Sequence, residues 1–188
     1  AEGVSAGDVN RAIHGTTLVT NALIERKGAP TGLLTTEGFR DALEIGREGR
    51  YDIYDLFLEL PESLVERRLR LEVPERVNVR GEVLTPLDGA ALQEAWEALR
   101  DEGVEAVAIS FLHAYANPVH EQRAAEVVRE VLPDVALSVS HRVAPELREY
   151  ERTSTTVANA YVRPLAERYL SGLEEGLQAC GLGAPLHI

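Results

Sequence analysis

A Gly-Thr-Thr segment near the start of the chain has the residue types of an anion-binding turn. Gly15, Thr16 and Thr17 precede an apolar pattern of helical period, and Asn21 follows one turn later. A turn that opens a helix offers free backbone N–H groups and, here, two hydroxyls at the positive end of the helix dipole. This combination suits a phosphate or a carboxylate. In the alternative interpretation, Thr16 or Thr17 only caps the helix.

A second turn of this kind occupies residues 35–41, which read TTEGFRD. Hydroxyls and a glycine stand where a predicted strand gives way to a short predicted helix. Arg40 or Arg47 is a candidate to face an anionic ligand, and Asp41 lies beside Arg40. The competing interpretation is helix capping together with surface ion pairs.

A third segment, residues 146–156, combines dense charge with a cluster of hydroxyls, and it reads ELREYERTSTT. It stands where a predicted strand gives way to a long helix. Acidic side chains such as Glu151 can orient water or Mg²⁺ in such a place, and Arg152 can pair with a phosphate. The alternative is the solvated start of a helix, with charged residues spaced to interact along its surface.

Other common catalytic and metal-binding patterns are missing from the sequence. The five histidines are widely separated and no Cys/His cluster occurs, so we expect no metal ligands. There is no G-x-S-x-G, Walker A or G-x-G-x-x-G pattern. Cys180 is the single cysteine, which excludes an intrachain disulfide and favours a reducing compartment, the cytoplasm.

The charge and hydropathy of the chain argue against two classes of partner. The formal net charge is −12, and basic residues are scattered apart from two adjacent pairs, Arg26-Lys27 and Arg67-Arg68. A nucleic-acid-binding protein usually shows a basic patch, so we expect no nucleic acid and no anionic membrane surface. No apolar run approaches the roughly 18 residues of a membrane span. The negative charge does not exclude ATP as a ligand, because backbone amides and a metal ion can hold phosphates locally.

The elements that position these segments alternate between apolar runs and helical patterns. This alternation predicts an α/β fold with parallel βαβ units. The clearest unit has a strand over 104–112, a helix that begins at Asn117-Pro118, and a strand over 135–140. The weaker unit near the start has a helix that ends at Lys27, a strand over 31–36 and a short helix over 38–47.

The middle and the end of the chain follow other patterns. Residues 48–86 mix aromatic, proline and charged residues, which we interpret as an inserted or edge β element with a turn at Gly81. Asp88 then caps a predicted helix. The last part is helical up to Leu177, and Pro164 is expected to kink or restart that helix.

Taken together, these segments closely resemble the hydantoinase A/5-oxoprolinase family, which includes ATP-dependent N-methylhydantoinases, 5-oxoprolinases and acetone carboxylase subunits. The resemblance covers nearly the whole chain, in order, and is carried by HGTTLVTNALIERKGAPTGLLTTEGFRDALEIGRE, GEVLTPLD, EAVAISFLHAYANPVHEQRAAEVV and EYERTSTTVANAYVRPL. Its GTT-x-x-x-N motif is matched by Gly15, Thr16, Thr17 and Asn21. Residues 38–41 match its GFRD motif, and residues 149–152 match its EYER motif.

The resemblance implies an actin/hexokinase/Hsp70-like (ribonuclease H-like, or ASKHA) ATPase fold. In that fold an Asp-x-Gly-Gly-Thr turn near the N-terminus contacts the ATP phosphates, and this sequence does not contain such a turn. We therefore expect residues 1–188 to be a fragment of the N-terminal half of a hydantoinase A-type subunit, inactive by itself. Its expected parts are a GTT/GFRD βα segment (1–47), an irregular β insertion (48–87), and a βαβ unit with a long C-terminal helix (88–188).

For the whole protein, the resemblance implies ATP-dependent hydrolysis of a cyclic amide. The γ-phosphate passes to the amide oxygen, which creates a leaving group, and water then opens the ring. ATP with Mg²⁺ and a hydantoinase B-type subunit or domain are the implied cofactors and partner. The candidates to line the nucleotide or substrate cleft are Gly15, Thr16, Thr17, Asn21, Arg40, Asp41, Glu151 and Arg152.

Three alternatives to a cyclic-amide hydrolase stay open at this point. One is a subunit of an ATP-dependent ketone carboxylase of the acetone type. Another is a non-catalytic relative of the same fold, such as a chaperone-like reactivating factor. The third is an interaction module that docks a partner through the irregular residues 48–86.

Overall fold

The computed structural model describes residues 6–49, 52, 54–59 and 61–188. Its helices and strands, in chain order, are β1 (Ala12–Ile13), α1 (Leu18–Ile24), β2 (Thr31–Thr36), α2 (Ala42–Ile45), β3 (Arg70–Val73), β4 (Arg76–Val77), β5 (Val83–Thr85), α3 (Gly89–Asp101), β6 (Ala106–Ser110), α4 (Val119–Val131), β7 (Ala136–Val139), α5 (Ser140–Val143), α6 (Glu149–Ala179) and β8 (Leu186–His187). The chain forms two compact units, residues 29–161 and residues 1–28 with 162–188.

The larger unit is built on a four-stranded parallel sheet in the order β3-β2-β6-β7. Leu34 of β2 pairs with Leu71 of β3 on one side and with Ile109 of β6 on the other. Every residue of β2 and of β6 is buried. Strands buried on both faces are typical of parallel sheets covered by helices, so the predicted parallel α/β fold is confirmed at this level.

Helix α3 packs against this sheet through one apolar stripe. Asp88 caps the helix by accepting hydrogen bonds from two backbone N–H groups of the first turn, as predicted. The stripe lies fully in the core and consists of Leu92, Ala95, Trp96 and Leu99. Gly32 of β2 allows the close approach, because a Cβ added there would lie 2.6 Å from a methyl carbon of Leu99.

The irregular stretch resolves into two kinds of β structure. β3 is an edge strand of the main sheet, and β4 and β5 form a separate antiparallel pair. The turn between them contains Gly81 with a φ of 81°, as its predicted turn position requires. Part of the prediction for residues 48–87 falls on Arg50, Tyr51, Ile53 and Leu60, which lie outside the described residues.

Several predicted boundaries differ from the structure. The helix expected to end at Lys27 ends at Ile24, because Arg26 has a left-handed backbone with a φ of 56°. The helix expected over 38–47 is confined to α2, because Gly38 (φ 85°) and a hydrogen bond from Phe39 N to Thr36 O form a turn first. β6 ends at Ser110 because side chains take the next two N–H groups. α6 runs unbroken through Pro164, so the helix does not restart there; proline removes only one of its backbone bonds.

The smaller unit contains α1, the second part of α6 and a two-stranded parallel sheet. β1 pairs with β8, so that Ala12 lies opposite Leu186. The hydroxyl of Tyr169 on α6 lies 2.7 Å from Nε2 of His14, at the end of β1. Among the helices of the described residues, none has the length and apolar character of a membrane span.

Candidate functional site

The order of the main sheet places the ends of β2 and β6 side by side. The chain continues from β2 to β3 on one side, and β6 and β7 add on the other side. In open α/β sheets, ligands bind outside the carboxyl ends of the strands at such a switch point. We call the carboxyl ends of these four strands the carboxyl edge. The buried polar residues of the carboxyl edge are therefore candidate site residues.

A buried carboxylate joins three of the strand ends. Glu75 follows β3, and its side chain is fully buried. It accepts a short hydrogen bond from the hydroxyl of Thr36, at the end of β2, and Nδ1 of His120 on α4 lies 2.7 Å from its other oxygen. The Thr36 oxygen in turn accepts from Leu112 N, just beyond β6, at 2.9 Å. A buried carboxylate persists only when it is paired in this way.

A second buried carboxylate belongs to Glu121, which follows His120 on α4, and it connects the end of β6 to the end of β7. Glu121 accepts hydrogen bonds from the backbone N of Phe111 (2.9 Å) and from Oγ of Ser140 (2.5 Å). Its other oxygen lies 2.9 Å from His141 N and 2.7 Å from His141 Nδ1. These contacts join the end of β6 to the start of α5, directly after β7. We call Thr36, Glu75, His120, Glu121, Ser140 and His141 the strand-end clamp.

The turn that follows β6 carries an arginine contact and a strained histidine. Arg152 is 2% exposed, and its Nη2 donates to Phe111 O at 2.7 Å. Its guanidinium lies 5.6 Å from the ring centroid of Tyr115, and burial lowers its pKa. His113 has a φ of 55°, a backbone conformation that residues other than glycine rarely adopt. Burial lowers the pKa of His113, and the charges of Arg152 and Arg76 lower it further.

The GFRD and EYER segments meet at a pocket of about 150 Å³ in the same unit. Its lining residues are Gly38, Phe39, Asp41, Ala42, Ile45, Gly46, Glu149 and Tyr150. Tyr150 also lines two neighbouring pockets of about 540 Å³ and 190 Å³. The structure thus brings together two motifs that lie more than a hundred residues apart in the sequence, with Tyr150 between the pockets.

Most of the charged residues predicted around this pocket form ion pairs, and Arg40 binds a backbone carbonyl instead. Asp41 binds Arg67 through both oxygens, at 2.8 and 2.9 Å, and hydrogen bonding to Arg67 lowers the pKa of Asp41. Arg47 binds Glu151 at 2.8 Å. The pKa of Glu151 is lowered, first by a hydrogen bond from its own backbone N–H and then by Arg47. Arg40 donates to the carbonyl oxygen of Arg67 at 3.1 Å. These pairs agree with the interpretation as surface ion pairs.

The Gly-Thr-Thr segment lies in the smaller unit. The hydroxyl oxygen of Thr16 accepts a hydrogen bond from Leu18 N at 3.1 Å, and that of Thr17 accepts from Nδ2 of Asn21 at 3.2 Å. Thr17 occupies the N-cap position of α1 and its side chain makes no cap bond, whereas Thr16 satisfies the first N–H of the helix from the preceding turn. Gly15 and these side chains are exposed. Both hydroxyls keep a proton to donate, and their role toward a ligand stays a prediction.

Sequence reasoning missed the strand-end clamp and His113. It set the histidines aside because they are far apart in the chain, whereas the fold gathers His113, His120 and His141 at the carboxyl edge. One signal was available: His120 and Glu121 are consecutive polar residues at the start of a helix whose apolar face is buried. Buried polar residues in that position require partners.

The chain is similar to characterised proteins over most of its length. It is 43% identical over 180 residues to caprolactamase subunit alpha of Pseudomonas jessenii. The matched region covers 95% of this chain and 26% of that protein. It is 36% identical over 177 residues to 5-oxoprolinase 1 of Arabidopsis thaliana, covering 84% of this chain and 14% of that protein. The chain therefore spans about a quarter or less of the length of these relatives.

Two solved structures share its architecture. The crystal structure of the ATP-dependent caprolactamase from Pseudomonas jessenii superposes with a TM-score of 0.91 at 42% identity, over 96% of this chain and 26% of that chain. The nucleotide-free structure of acetone carboxylase superposes with a TM-score of 0.81 at 25% identity, and the match covers 94% of this chain and 27% of that chain. In addition, residues 1–132 match the family described as the hydantoinase/oxoprolinase N-terminal region. The chain belongs to the hydantoinase/oxoprolinase family.

Proposed function

We propose that this chain is part of an ATP-dependent enzyme that opens cyclic amides by phosphorylating the carbonyl oxygen. The observation that carries the proposal is the pocket between the GFRD and EYER segments. Its walls combine the apolar side chains of Phe39, Ala42 and Ile45 with the ring of Tyr150 and the carboxylate of Glu149. A small pocket with apolar walls and few polar groups suits a small ring that carries one amide.

Relatives whose names state an activity support the same class of reaction. A caprolactamase and a 5-oxoprolinase act on a cyclic amide, and the solved caprolactamase is described as ATP-dependent. In the proposed reaction the amide oxygen attacks the γ-phosphorus and ADP leaves. Water then adds to the activated carbon, and the C–N bond breaks with the protonated nitrogen as the leaving group, which leaves an acyl phosphate. A second water then releases phosphate and the free carboxylate. Catalysis of this kind depends mainly on positioning and charge stabilisation.

The cofactors belong to the proposal as well. ATP binding in an actin/hexokinase/Hsp70-like fold is supported by the parallel sheet with its polar carboxyl edge. We assign Gly15, Thr16, Thr17 and Asn21 to the nucleotide side, because their exposed hydroxyls and amide fit phosphate oxygens. Among the described residues, no group of three or more His, Cys, Asp and Glu side chains could hold a metal ion. Mg²⁺ belongs to the proposal as the ion that accompanies ATP.

The remaining assignments follow the resemblance of the sequence. We propose that four residues border the substrate side. Asp41 and Glu151 do so as ion-paired carboxylates, Arg40 through its hydrogen bond to the carbonyl oxygen of Arg67, and Arg152 as support for the turn after β6. The proposed parts remain residues 1–47, 48–87 and 88–188. A hydantoinase B-type partner and a cytoplasmic location complete the proposal, and relatives named as alpha and gamma subunits support a multi-subunit enzyme.

An ATP-dependent ketone carboxylase is the second candidate function. The acetone carboxylase structure and the acetophenone carboxylase gamma subunit of Aromatoleum aromaticum favour it, the latter at 35% identity over 181 residues. Both candidates are ATP-dependent reactions, so the substrate decides between them.

The test is ATP hydrolysis by the protein over its natural length, together with its partner subunit. ADP release is measured with caprolactam, 5-oxoproline and hydantoin, and separately with acetone and bicarbonate. We expect an amide to stimulate ADP release, and Tyr150→Ala to raise the KM for that amide by about tenfold through lost apolar contact. Glu130→Gln, on an exposed face of α4, is the matched control and should behave like the wild type.

Two results would contradict this proposal. Stimulation by acetone with bicarbonate, and by no amide, would assign the protein to the carboxylases. An unchanged KM in Tyr150→Ala, in a protein that does respond to an amide, would remove the pocket from the substrate site while leaving the reaction class intact.

A further inference from the structure

The turn directly after β6 holds a strained residue at the carboxyl edge. Among the described residues other than glycine, four have a positive φ: Arg26, Glu48, His113 and Arg148. His113 is half-buried, whereas the other three are exposed. A left-handed conformation costs a side-chain-bearing residue about 1–2 kcal/mol. Strain of this kind persists where the surroundings enforce it, and it concentrates at functional sites.

The surroundings of His113 do enforce the strain. Before it, Phe111 N is bound to Glu121, Phe111 O to Arg152, and Leu112 N to the hydroxyl of Thr36. After it, the carbonyl oxygen of His113 accepts from the N–H groups of two following residues, at 2.9 and 3.2 Å. The strand-end clamp and Arg152 thus fix the backbone on which the His113 ring is mounted.

One nitrogen of this ring has a partner and the other has none. Nδ1 lies 3.3 Å from the hydroxyl of Tyr115, and the two rings meet edge to face with centroids 5.9 Å apart. Either the hydroxyl or Nδ1 can be the donor of this contact, and when the hydroxyl donates, Nδ1 is the acceptor and the imidazole proton is on Nε2. Nε2 forms no hydrogen bond within the described part of the chain. In that tautomer Nε2 is a donor without an intramolecular acceptor.

Charged groups of three segments act on the ring, and the arginines among them act more strongly than the glutamates. Arg152 of α6 and Arg76 of β4 each act more strongly on His113 than Glu149 of α6 or Glu75 after β3. The Glu75 carboxylate is already bound by Thr36 and His120. Arg76 has no carboxylate of a described residue within ion-pairing distance, and its guanidinium lies 5.1 Å from the ring centroid of Phe39, a residue of the pocket wall.

We propose that His113 donates a hydrogen bond from Nε2 to an oxyanion that binds at the carboxyl edge beside Arg76. The ligand chemistry is a phosphoryl or a carboxylate oxygen. The identity of that ligand as nucleotide or cyclic amino acid rests on the proposed function. The strained backbone, the free Nε2 and the unpaired Arg76 carry the site itself.

The experiment is calorimetric titration of the natural-length protein with three probes. Pyrophosphate carries phosphoryl oxygens, 5-oxoproline carries a carboxylate on a cyclic amide, and caprolactam is a cyclic amide without charge. His113→Gly removes the imidazole and accepts the left-handed backbone without cost, so the fold is retained. We expect at least one anionic probe to bind about tenfold or more weakly, the usual loss for a hydrogen bond to a charged group.

The outcomes separate the ligand sources. Weaker pyrophosphate binding in His113→Gly assigns the site to nucleotide phosphate, and weaker 5-oxoproline binding assigns it to the substrate carboxylate. His113→Gln, which keeps an N–H donor, should recover part of the lost affinity. An equal loss of affinity for caprolactam would show that the substitution changes the shape of the site, and it would overturn the proposal. Unchanged binding of both anions in His113→Gly, or no binding of either anion to the wild type, would overturn it as well.

One control variant and two combinations of results keep this inference apart from the proposed function. Arg26→Gly relieves the same kind of backbone strain in the other unit, with a φ of 56°, and should leave the affinities unchanged. If the wild type binds an anionic probe through His113 but no amide stimulates ATP hydrolysis, the site stands and the proposed function fails. If an amide stimulates hydrolysis and His113→Gly binds both anions like the wild type, the site fails and the function stands.

Discussion

Replacing Glu121 with glutamine tests the energetic role of the strand-end clamp. The carboxylate is fully buried and accepts four hydrogen bonds, two at each oxygen. The amide of glutamine keeps one acceptor oxygen, which can serve Phe111 N and Ser140. Its NH₂ group then faces the backbone N–H of His141, which cannot change its role as a donor. The ring of His141 can respond by presenting an unprotonated Nδ1.

The magnitude follows from these contacts. One backbone N–H left without an acceptor costs about 1–3 kcal/mol, and each remaining bond weakens by about 0.5 kcal/mol when the acceptor loses its charge. The total is about 3 kcal/mol. For a chain of this length, about 2–4 °C of melting temperature corresponds to each kcal/mol, so we expect a decrease of about 6–12 °C.

The assay is urea and thermal unfolding of Glu121→Gln beside Glu130→Gln. Glu130 lies on the same helix and is exposed, so its substitution should change the free energy of unfolding by less than about 0.5 kcal/mol. A loss in Glu121→Gln that is no larger than in this control would refute the argument that the two histidine-carboxylate pairs fix the carboxyl edge.

Further predictions concern packing, charge and capping. Gly32→Ala should lower the free energy of unfolding by about 1–3 kcal/mol, because the added Cβ would meet a buried leucine side chain at 2.6 Å. Gly172→Ala on α6, where the added Cβ meets nothing, should raise the free energy of unfolding by about 0.5–1 kcal/mol. Urea unfolding compares the two variants, and equal effects would contradict the packing argument. Asp41 has a pKa lowered from 3.8 by Arg67, so the stability it contributes is present at neutral pH and is lost as the pH falls below 3.8 toward the folded-state pKa. In Arg67→Gln, NMR titration should show the pKa of Asp41 return toward 3.8, and an unchanged value would disprove the pairing. Thr16→Ala should cost about 1 kcal/mol through the lost hydrogen bond to Leu18 N, and preserved ATPase activity in that variant would leave Thr16 with a structural role alone.

The regular elements of the larger unit could be predicted because local patterns decide them. The strand over Thr31–Thr36 was predicted with its observed bounds, since a short apolar run between turn residues has no competing pattern. The helix capped by Asp88 and the βαβ unit around β6 and β7 were predicted for the same reason. The errors lie at element ends, where side chains such as Glu121 replace backbone partners.

The candidate site was predictable only in part. The GFRD and EYER segments were recognised by their residue types, and the structure shows that they border one pocket. The conflict between ligand binding and ion pairing could not be decided from the sequence, because the partner of Asp41 lies 26 residues away and that of Glu151 lies 104 residues away. Such partners depend on the fold and not on local spacing.

By itself, the sequence determined the class of fold and the family, because apolar periodicity, turn residues and long motifs are local properties of the chain. The tertiary structure alone decided that His113, His120 and His141 lie at one edge of the sheet, and that Glu75 and Glu121 are buried there with their partners. The physical reason is that parallel strands are joined by long crossovers. Residues at their carboxyl ends are therefore neighbours in space while they remain distant in the chain.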